Sequence, residues 1–255
     1  MKIIVAIKQV PERDAQVRID AAGKWIEESD LQYAMNESDA YALEEALQLK
    51  EKHGGEVIVV SAGPERVGTT IREALAKGAD RAIHVSADNL SQYDALGAAR
   101  LLAEAIRPES PDLVLTGLQS DDLGYGQTGV ILAELLDLPH ASLILHVEKT
   151  ENGLKVKREL EAGWFKEIEL PLPAVLAMQS GGNKLRYATL MGIKKAKTKE
   201  MKVIAAPDLG QNAPVVTLES IALPQKQKST QMIEGNAETA AATLVEKLKF
   251  EVRVL

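Results

Sequence analysis

The stretch Asp112-Leu113-Val114-Leu115-Thr116-Gly117-Leu118-Gln119-Ser120-Asp121-Asp122-Leu123-Gly124-Tyr125-Gly126-Gln127-Thr128-Gly129 changes character twice. Residues 112–116 form a short apolar run that reads as a buried strand. The polar residues after it include Gly117, Gly124, Gly126 and Gly129, and glycines let a backbone approach a ligand closely. Residues 126–136 are then largely apolar and end before Pro139, which predicts a helix. A strand, a glycine-bearing loop and a helix in that order are the repeating unit of an open parallel sheet, where ligands bind beyond the carboxyl ends of the strands. A helix opening at Gln127-Thr128-Gly129 offers free N–H groups and a favourable dipole to a phosphate. The competing reading is a polar loop that ends in a helix cap.

The same alternation extends upstream, with strands expected at 2–7, 56–61 and 81–85 and helices between them. The helix at 38–53 carries Ala40, Leu43, Ala46 and Leu47 at helical spacing and stops at Gly54-Gly55. Helices at 66–77 and 91–106 stop at Gly78 and Pro108. Lys8-Gln9-Val10-Pro11 follows the first strand and Ala62-Gly63-Pro64-Glu65 the second, so both belong to the region where a ligand is sought.

Downstream, 142–149 and 154–161 flank the turn Thr150-Glu151-Asn152-Gly153 and predict a hairpin, which 164–170 can extend. Residues 173–178 read as another buried strand. From about Ala196 the chain is polar and punctuated by Pro207, Pro214 and Pro224, until 237–249 resumes a helical pattern. Val203, Ile204, Val215, Val216 and Ile221 are too sparse to build a core there. The expectation is a Rossmann-like α/β nucleotide-binding domain over 1–195, with a β-hairpin insertion, and an extended C-terminal arm over 196–255.

Composition narrows the chemistry. The 255 residues are 45% apolar, ample for a core without metal or disulfide staples. Thirty Lys+Arg against 37 Asp+Glu leave a net charge of −7, which argues against general affinity for nucleic acid or anionic membranes. The absence of cysteine excludes disulfides, thiol catalysis and iron–sulfur ligation by this chain. The apolar start, Met1-Lys2-Ile3-Ile4-Val5-Ala6-Ile7-Lys8, is too short for a signal or a membrane span, so a cytoplasmic chain without membrane insertion is expected.

No Gly-x-x-x-x-Gly-Lys-Ser/Thr spacing occurs, which argues against P-loop phosphoryl transfer. Ser180-Gly181-Gly182-Asn183-Lys184 is weakly similar to the pyrophosphate loop of ATP pyrophosphatases, but lacks the acidic residue and second serine. His53, His84, His140 and His146 have no metal-ligand spacing and read as structural. Asp121 and Asp122 are adjacent in a loop, where hydrogen bonding or solvation is favoured over paired acid–base or magnesium chemistry. In 186–199, Leu190 and Met191 precede four lysines within six positions. This suits an apolar docking anchor with basic steering of a partner; the alternative is a short buried turn before a solvated lysine run.

Taken in order, these residues resemble the β subunit of electron transfer flavoprotein over nearly the whole chain. The resemblance runs through Val5-Ala6-Ile7-Lys8-Gln9-Val10, Asn36-Glu37-Ser38-Asp39-Ala40-Tyr41-Ala42-Leu43-Glu44-Glu45-Ala46, Gly78-Ala79-Asp80-Arg81, Gln127-Thr128-Gly129, Leu172-Pro173-Ala174-Val175 and Arg186-Tyr187-Ala188-Thr189-Leu190. It implies a heterodimer with an α subunit that holds most of the redox FAD, while the β subunit binds AMP. The AMP site it implies comprises Ala6, Asn36, Glu37, Ser38, Asp39, Ala62 and the loop Gly117, Leu118, Gln119, Ser120, Asp121, Asp122, Leu123, Gly124, Tyr125, Gly126, Gln127 and Thr128. Ala62 stands where a cysteine can occur, Leu123-Gly124 where some relatives are acidic, and Arg13 where several place a tyrosine near the flavin.

The implied partner-recognition segment contains Tyr187, Ala188, Thr189, Leu190, Met191, Gly192, Ile193 and Lys195, with Leu190 as the anchor and Lys195 at a lysine that some relatives methylate. Electrons would come from flavin dehydrogenases such as acyl-CoA dehydrogenases and pass to a quinone oxidoreductase or another acceptor. On this reading the flavin carries the electron chemistry and the subunit supplies no acid, base or nucleophile; the C-terminal arm wraps the α subunit. The rivals are an electron-bifurcating member with a second FAD in place of AMP, and a nucleotide-sensing or nucleotide-hydrolysing α/β protein.

Overall fold

The computed structural model of the chain describes residues 1–88, 93–206, 215–224 and 230–254. Its core is set by the two-residue period of the first strand, β1 (Lys2–Ala6). Ile3 and Val5 point to one face of the sheet, while Ile4 and Ala6 point to the other. The first face packs on α1 (Glu37–His53) and α2 (Val67–Lys77), through Leu43, Leu47, Ile71 and Leu75. The second packs on α3 (Ala95–Ile106) and α4 (Thr128–Leu136), through Leu101, Leu102, Ile106 and Leu132. Because both faces are covered, the central strands are largely apolar and show no regular polar alternation; their buried polar residues are Ser61, His84 and Thr116.

Around β1 stand β4 (Glu56–Gly63), β5 (Arg81–Ser86), β6 (Leu113–Gly117) and β10 (Ala174–Met178). The other strands of the sheet are β7 (His140–Lys149), β8 (Leu154–Glu159), β9 (Phe165–Leu170) and β11 (Met201–Ala205). Among the described residues the order is β11-β5-β4-β1-β6-β10-β7-β8-β9. Pairing is parallel from β11 to β7, then antiparallel through β8 and β9. The hairpin and its extension are therefore one antiparallel wing on an α/β sheet. A separate short pair, β2 (Gln9–Pro11) with β3 (Tyr33–Met35), is antiparallel.

Several boundaries differ from those read in the sequence. Gly126 and Gln127 stay outside α4, because Gly126 has a left-handed backbone (φ 63°). Of the segment expected as a helix from residue 91, Ser91 and Gln92 lie outside the described residues; the helix begins at Ala95, capped by Asp94 Oδ1, which accepts from Gly97 N at 2.7 Å. Residues 190–196, for which the sequence reading named no helix, form α5 (Leu190–Ala196). The polar segment after Ala196 contributes β11, paired parallel to β5. The chain divides into compact units Met1–Ile221 and Ala222–Leu255, so the boundary expected at 195/196 falls inside the first. Pro207 and Pro214 lie outside the described residues. The second unit contains α6 (Ala237–Lys247), capped by Asn236 Oδ1 from Thr239 N at 2.9 Å, with a π-helical turn over Leu248–Val252. No described helix is long and apolar enough to cross a membrane.

Candidate functional site

Sheet order reverses between β1 and β6: β4 continues on one side and β10 on the other. The crevice beyond the carboxyl ends at such a reversal is where open α/β sheets receive ligands. Here Ala6 and Gly117 end the two strands that flank the reversal, and the first turn of α1 packs beside them.

Asn36 occupies the N-cap of α1, yet its side chain does not cap the helix. It is diverted to the glycine-bearing loop. Its Nδ2 donates to Ser38 Oγ at 3.0 Å and to Gln119 O at 2.9 Å, and its Oδ1 accepts from Asp121 N at 2.9 Å. Ser38 Oγ donates to the same Gln119 carbonyl at 2.8 Å. The Asp121 carboxylate accepts from Glu37 N at 3.3 Å. Loop and helix are thus stitched along residues 36–38 and 119–121.

Asp39 joins the two strand ends. Its Oδ2 accepts from Lys8 N at 2.6 Å and its Oδ1 from Gly117 N at 2.9 Å. Burial pushes its carboxyl up to about 7, against the Lys8, Asn36 and Gly117 donors that favour the ionised form. Gly117 is required here, because a Cβ would run into Asp39 Oδ1 and Ser38 Oγ. At the rim, Lys8 Nζ reaches both Asp122 oxygens at 2.6 and 2.7 Å and Ser120 Oγ at 3.3 Å. Burial raises the Asp122 carboxyl, but Lys8 and its other donors outweigh this and leave it below the usual carboxylate range. Lys8 was not among the expected site residues; its position directly after the first strand was the available signal.

Leu118 N donates to Met178 O at 2.8 Å, tying the start of the loop to the end of β10, and Gly124 N donates to Ser120 O at 2.9 Å within the loop. Leu123, Tyr125 and Gln127 are exposed and take no side-chain part in this network. Glu37 turns outward to pair with Arg13. Ala62 lies half-buried on β4, two residues beyond Val60, the register partner of Ala6. Gly129 sits where a Cβ would press within 2.5 Å of Thr116 Oγ1, so it lets α4 begin close against β6. Gln127 provides no side-chain cap, and the first N–H groups of α4 have no partner among the described residues. The bonded side chains knit the loop to α1, and the uncapped first turn of α4 follows directly after it.

The second expected site has the opposite character. Tyr187 is 91% exposed and Leu190 87%, with Met191 and Ile193 also exposed on α5. Thr189 caps α5, its Oγ accepting from Gly192 N at 3.0 Å. A Cβ at Gly192 would strike Ala76 O, so α5 lies directly on the end of α2. Ala188 is half-buried, while Lys194 and Lys195 are exposed in the last turn.

The fold defines a doubly wound α/β protein whose strand-order reversal brings together the start of α1 and the loop after β6. A family model described as the electron transfer flavoprotein domain matches residues 24–209. Electron transfer flavoprotein subunit beta of Methylophilus methylotrophus is 40% identical over 259 residues, covering 96% of this chain and 97% of its own. The subunits of that name from Bacillus subtilis and Homo sapiens are 33% identical over 261 residues and 39% over 213, covering 100% and 82% of this chain and 100% and 83% of their own. The chain belongs to the electron transfer flavoprotein family, among its β subunits. Membership brings flavin-linked electron transfer and an α subunit as counterpart.

Proposed function

We propose that this β subunit holds AMP in the β1–β6 crevice, completes an FAD site held mostly by its α subunit, and presents Leu190 to flavin dehydrogenases. The observation that carries the reading is the crevice, where bonded residues 36–39 and 117–122 adjoin an uncapped helix start. Those groups fit a nucleotide monophosphate: free N–H groups suit its phosphate, and Gly117 and Gly129 keep the walls close-packed. Residues 36–39, Ala6, Ala62 and 117–128 would hold the nucleotide. FAD, when bound, supplies the electron chemistry. This chain's side chains orient and seal, while the exposed apolar end of α5 receives acyl-CoA dehydrogenases and similar donors. A quinone oxidoreductase or another acceptor then takes the electrons. The chain beyond β11 is assigned to wrapping the α subunit.

The test is the cofactor content of the complex purified with its α partner, after denaturing release and chromatography. About one FAD and one AMP per heterodimer is expected, by the one-site stoichiometry of each group. Two FAD and no AMP would replace this reading with a bifurcating carrier. AMP without flavin or partner would replace it with a nucleotide sensor.

A further inference from the structure

The exposed segment 187–195 is fastened at both ends, and the two fastenings differ in kind. After it, Arg72 donates Nη1 to Ala196 O at 2.6 Å and Lys199 O at 2.8 Å, while Lys199 Nζ donates to Leu75 O at 2.9 Å and to Ala79 O. These bonds tie backbone to the end of α2. Before it stands one guanidinium. Arg186 Nε and Nη2 meet the two Glu44 oxygens at 2.8 and 3.0 Å, and Nη1 and Nη2 meet those of Glu51 at 2.6 and 3.2 Å. Both glutamates stand on α1, two helical turns apart. The Glu44 side chain is 6% exposed, and Arg186 also donates its backbone N–H to it at 3.3 Å.

Such a fork fixes direction as well as position. A planar guanidinium engages two carboxylates in two-point contacts that an ammonium cannot reproduce. The segment needs this, because Tyr187 and Leu190 are almost wholly exposed and gain little order from packing on their own chain. A loop that must be ordered at each encounter weakens binding by the cost of that ordering. Resting on the docking role proposed for this segment, we infer that Arg186, clamped across Glu44 and Glu51 of α1, is a positioning residue that holds the Leu190 tip in its docking form before the partner arrives.

The experiment uses the α/β holo-complex reduced by an acyl-CoA dehydrogenase, with amide hydrogen exchange measured across 187–193 in the same preparations. Arg186→Lys keeps the charge and removes the fork. We expect KM for the dehydrogenase to rise about fivefold with kcat within about twofold, as for a lost positioning contact. Exchange across 187–193 should quicken, with FAD and AMP content unchanged. In a Leu190→Ala background the further effect of Arg186→Lys on KM should shrink below about twofold, because residues acting through one contact are not additive.

Unchanged KM and exchange would overturn the inference, as would an equal KM effect in both backgrounds or a loss of bound FAD or AMP. If Arg186→Lys does not assemble, Glu51→Gln removes only the outer half of the clamp, and a KM rise of about twofold is expected; no change in KM or exchange would overturn the proposal. Leu190→Ala that leaves reduction unchanged would instead overturn the docking role itself.

Discussion

The switch-point crevice and the proposed docking segment both draw on α1, yet they use it in opposite ways. At the first turn of α1, Asn36, Ser38 and Asp39 turn their polar groups inward and satisfy the loop after β6. At its middle and end, Glu44 and Glu51 hold Arg186 so that apolar groups can face outward. Buried polar groups must find partners within the chain, so the crevice wall is a closed network that specifies one arrangement. Exposed apolar groups need none, and a cluster of them marks a surface whose partner is another molecule. Substitutions in the crevice should therefore act on folding and nucleotide retention, and those in the segment on encounter.

The largest loss of stability is expected for Asp39→Ala. It orphans the N–H groups of Lys8 and Gly117, at about 1–3 kcal/mol for each buried group, so the denaturant midpoint should fall sharply. A midpoint near wild type would mean that water replaces the carboxylate and that the network is not closed.

The same carboxyl sets a pH dependence. Its folded value, about 7, lies above the usual value of 3.8, so the folded state retains a proton that the unfolded state has lost between those limits. That contribution is fully present below the unfolded value and is lost as pH rises through about 7, with a slope of at most about 1.4 kcal/mol per pH unit. Unfolding curves from pH 5 to 8 should show this fall, and Asp39→Asn should flatten it. Equal slopes in both proteins would remove Asp39 as the titrating group.

Asp122→Ala should cost less, about 1 kcal/mol or below, because its ion pair with Lys8 lies at the rim. It should nevertheless lower the AMP that co-purifies with the complex; full AMP content would take Asp122 out of the nucleotide site.

Leu190→Ala should be the mildest for folding, within about 0.5 kcal/mol, since the side chain is 87% exposed. It should slow reduction by a dehydrogenase while leaving FAD in place. Loss of FAD or of thermal stability would erase the contrast between the two regions and make the segment structural.

Much of this was legible in the linear chain where the deciding forces are local. The apolar runs of β1, β4, β5 and β6 and the glycine stops after α1 and α2 read correctly, because strand burial and helix termination depend on near neighbours. Helix α5 was missed because its apolar residues face outward and imitate no amphipathic pattern. Strand β11 was missed because it is a half-exposed edge in a polar stretch, ordered by its pairing with β5. At the strand-order reversal, the glycines announced close backbone approach, as Gly117 against Asp39 shows, and the residues singled out after the first and fourth expected strands prove to be neighbours bridged by Asp39.

The residue order therefore settled the alternation of strands and helices, the location of the glycine-bearing loop and the apolar tip at Leu190, since each rests on composition and spacing within a few turns of chain. Which groups meet was settled only by folding. Asp39 bridges Lys8 and Gly117, Asn36 is drawn from its cap to the loop at 119–121, and Arg186 reaches back to Glu44 and Glu51. These pairings join residues far apart in the chain. They exist because a parallel sheet brings its strand ends together at the reversal of strand order, and no local pattern specifies which distant ends will be neighbours.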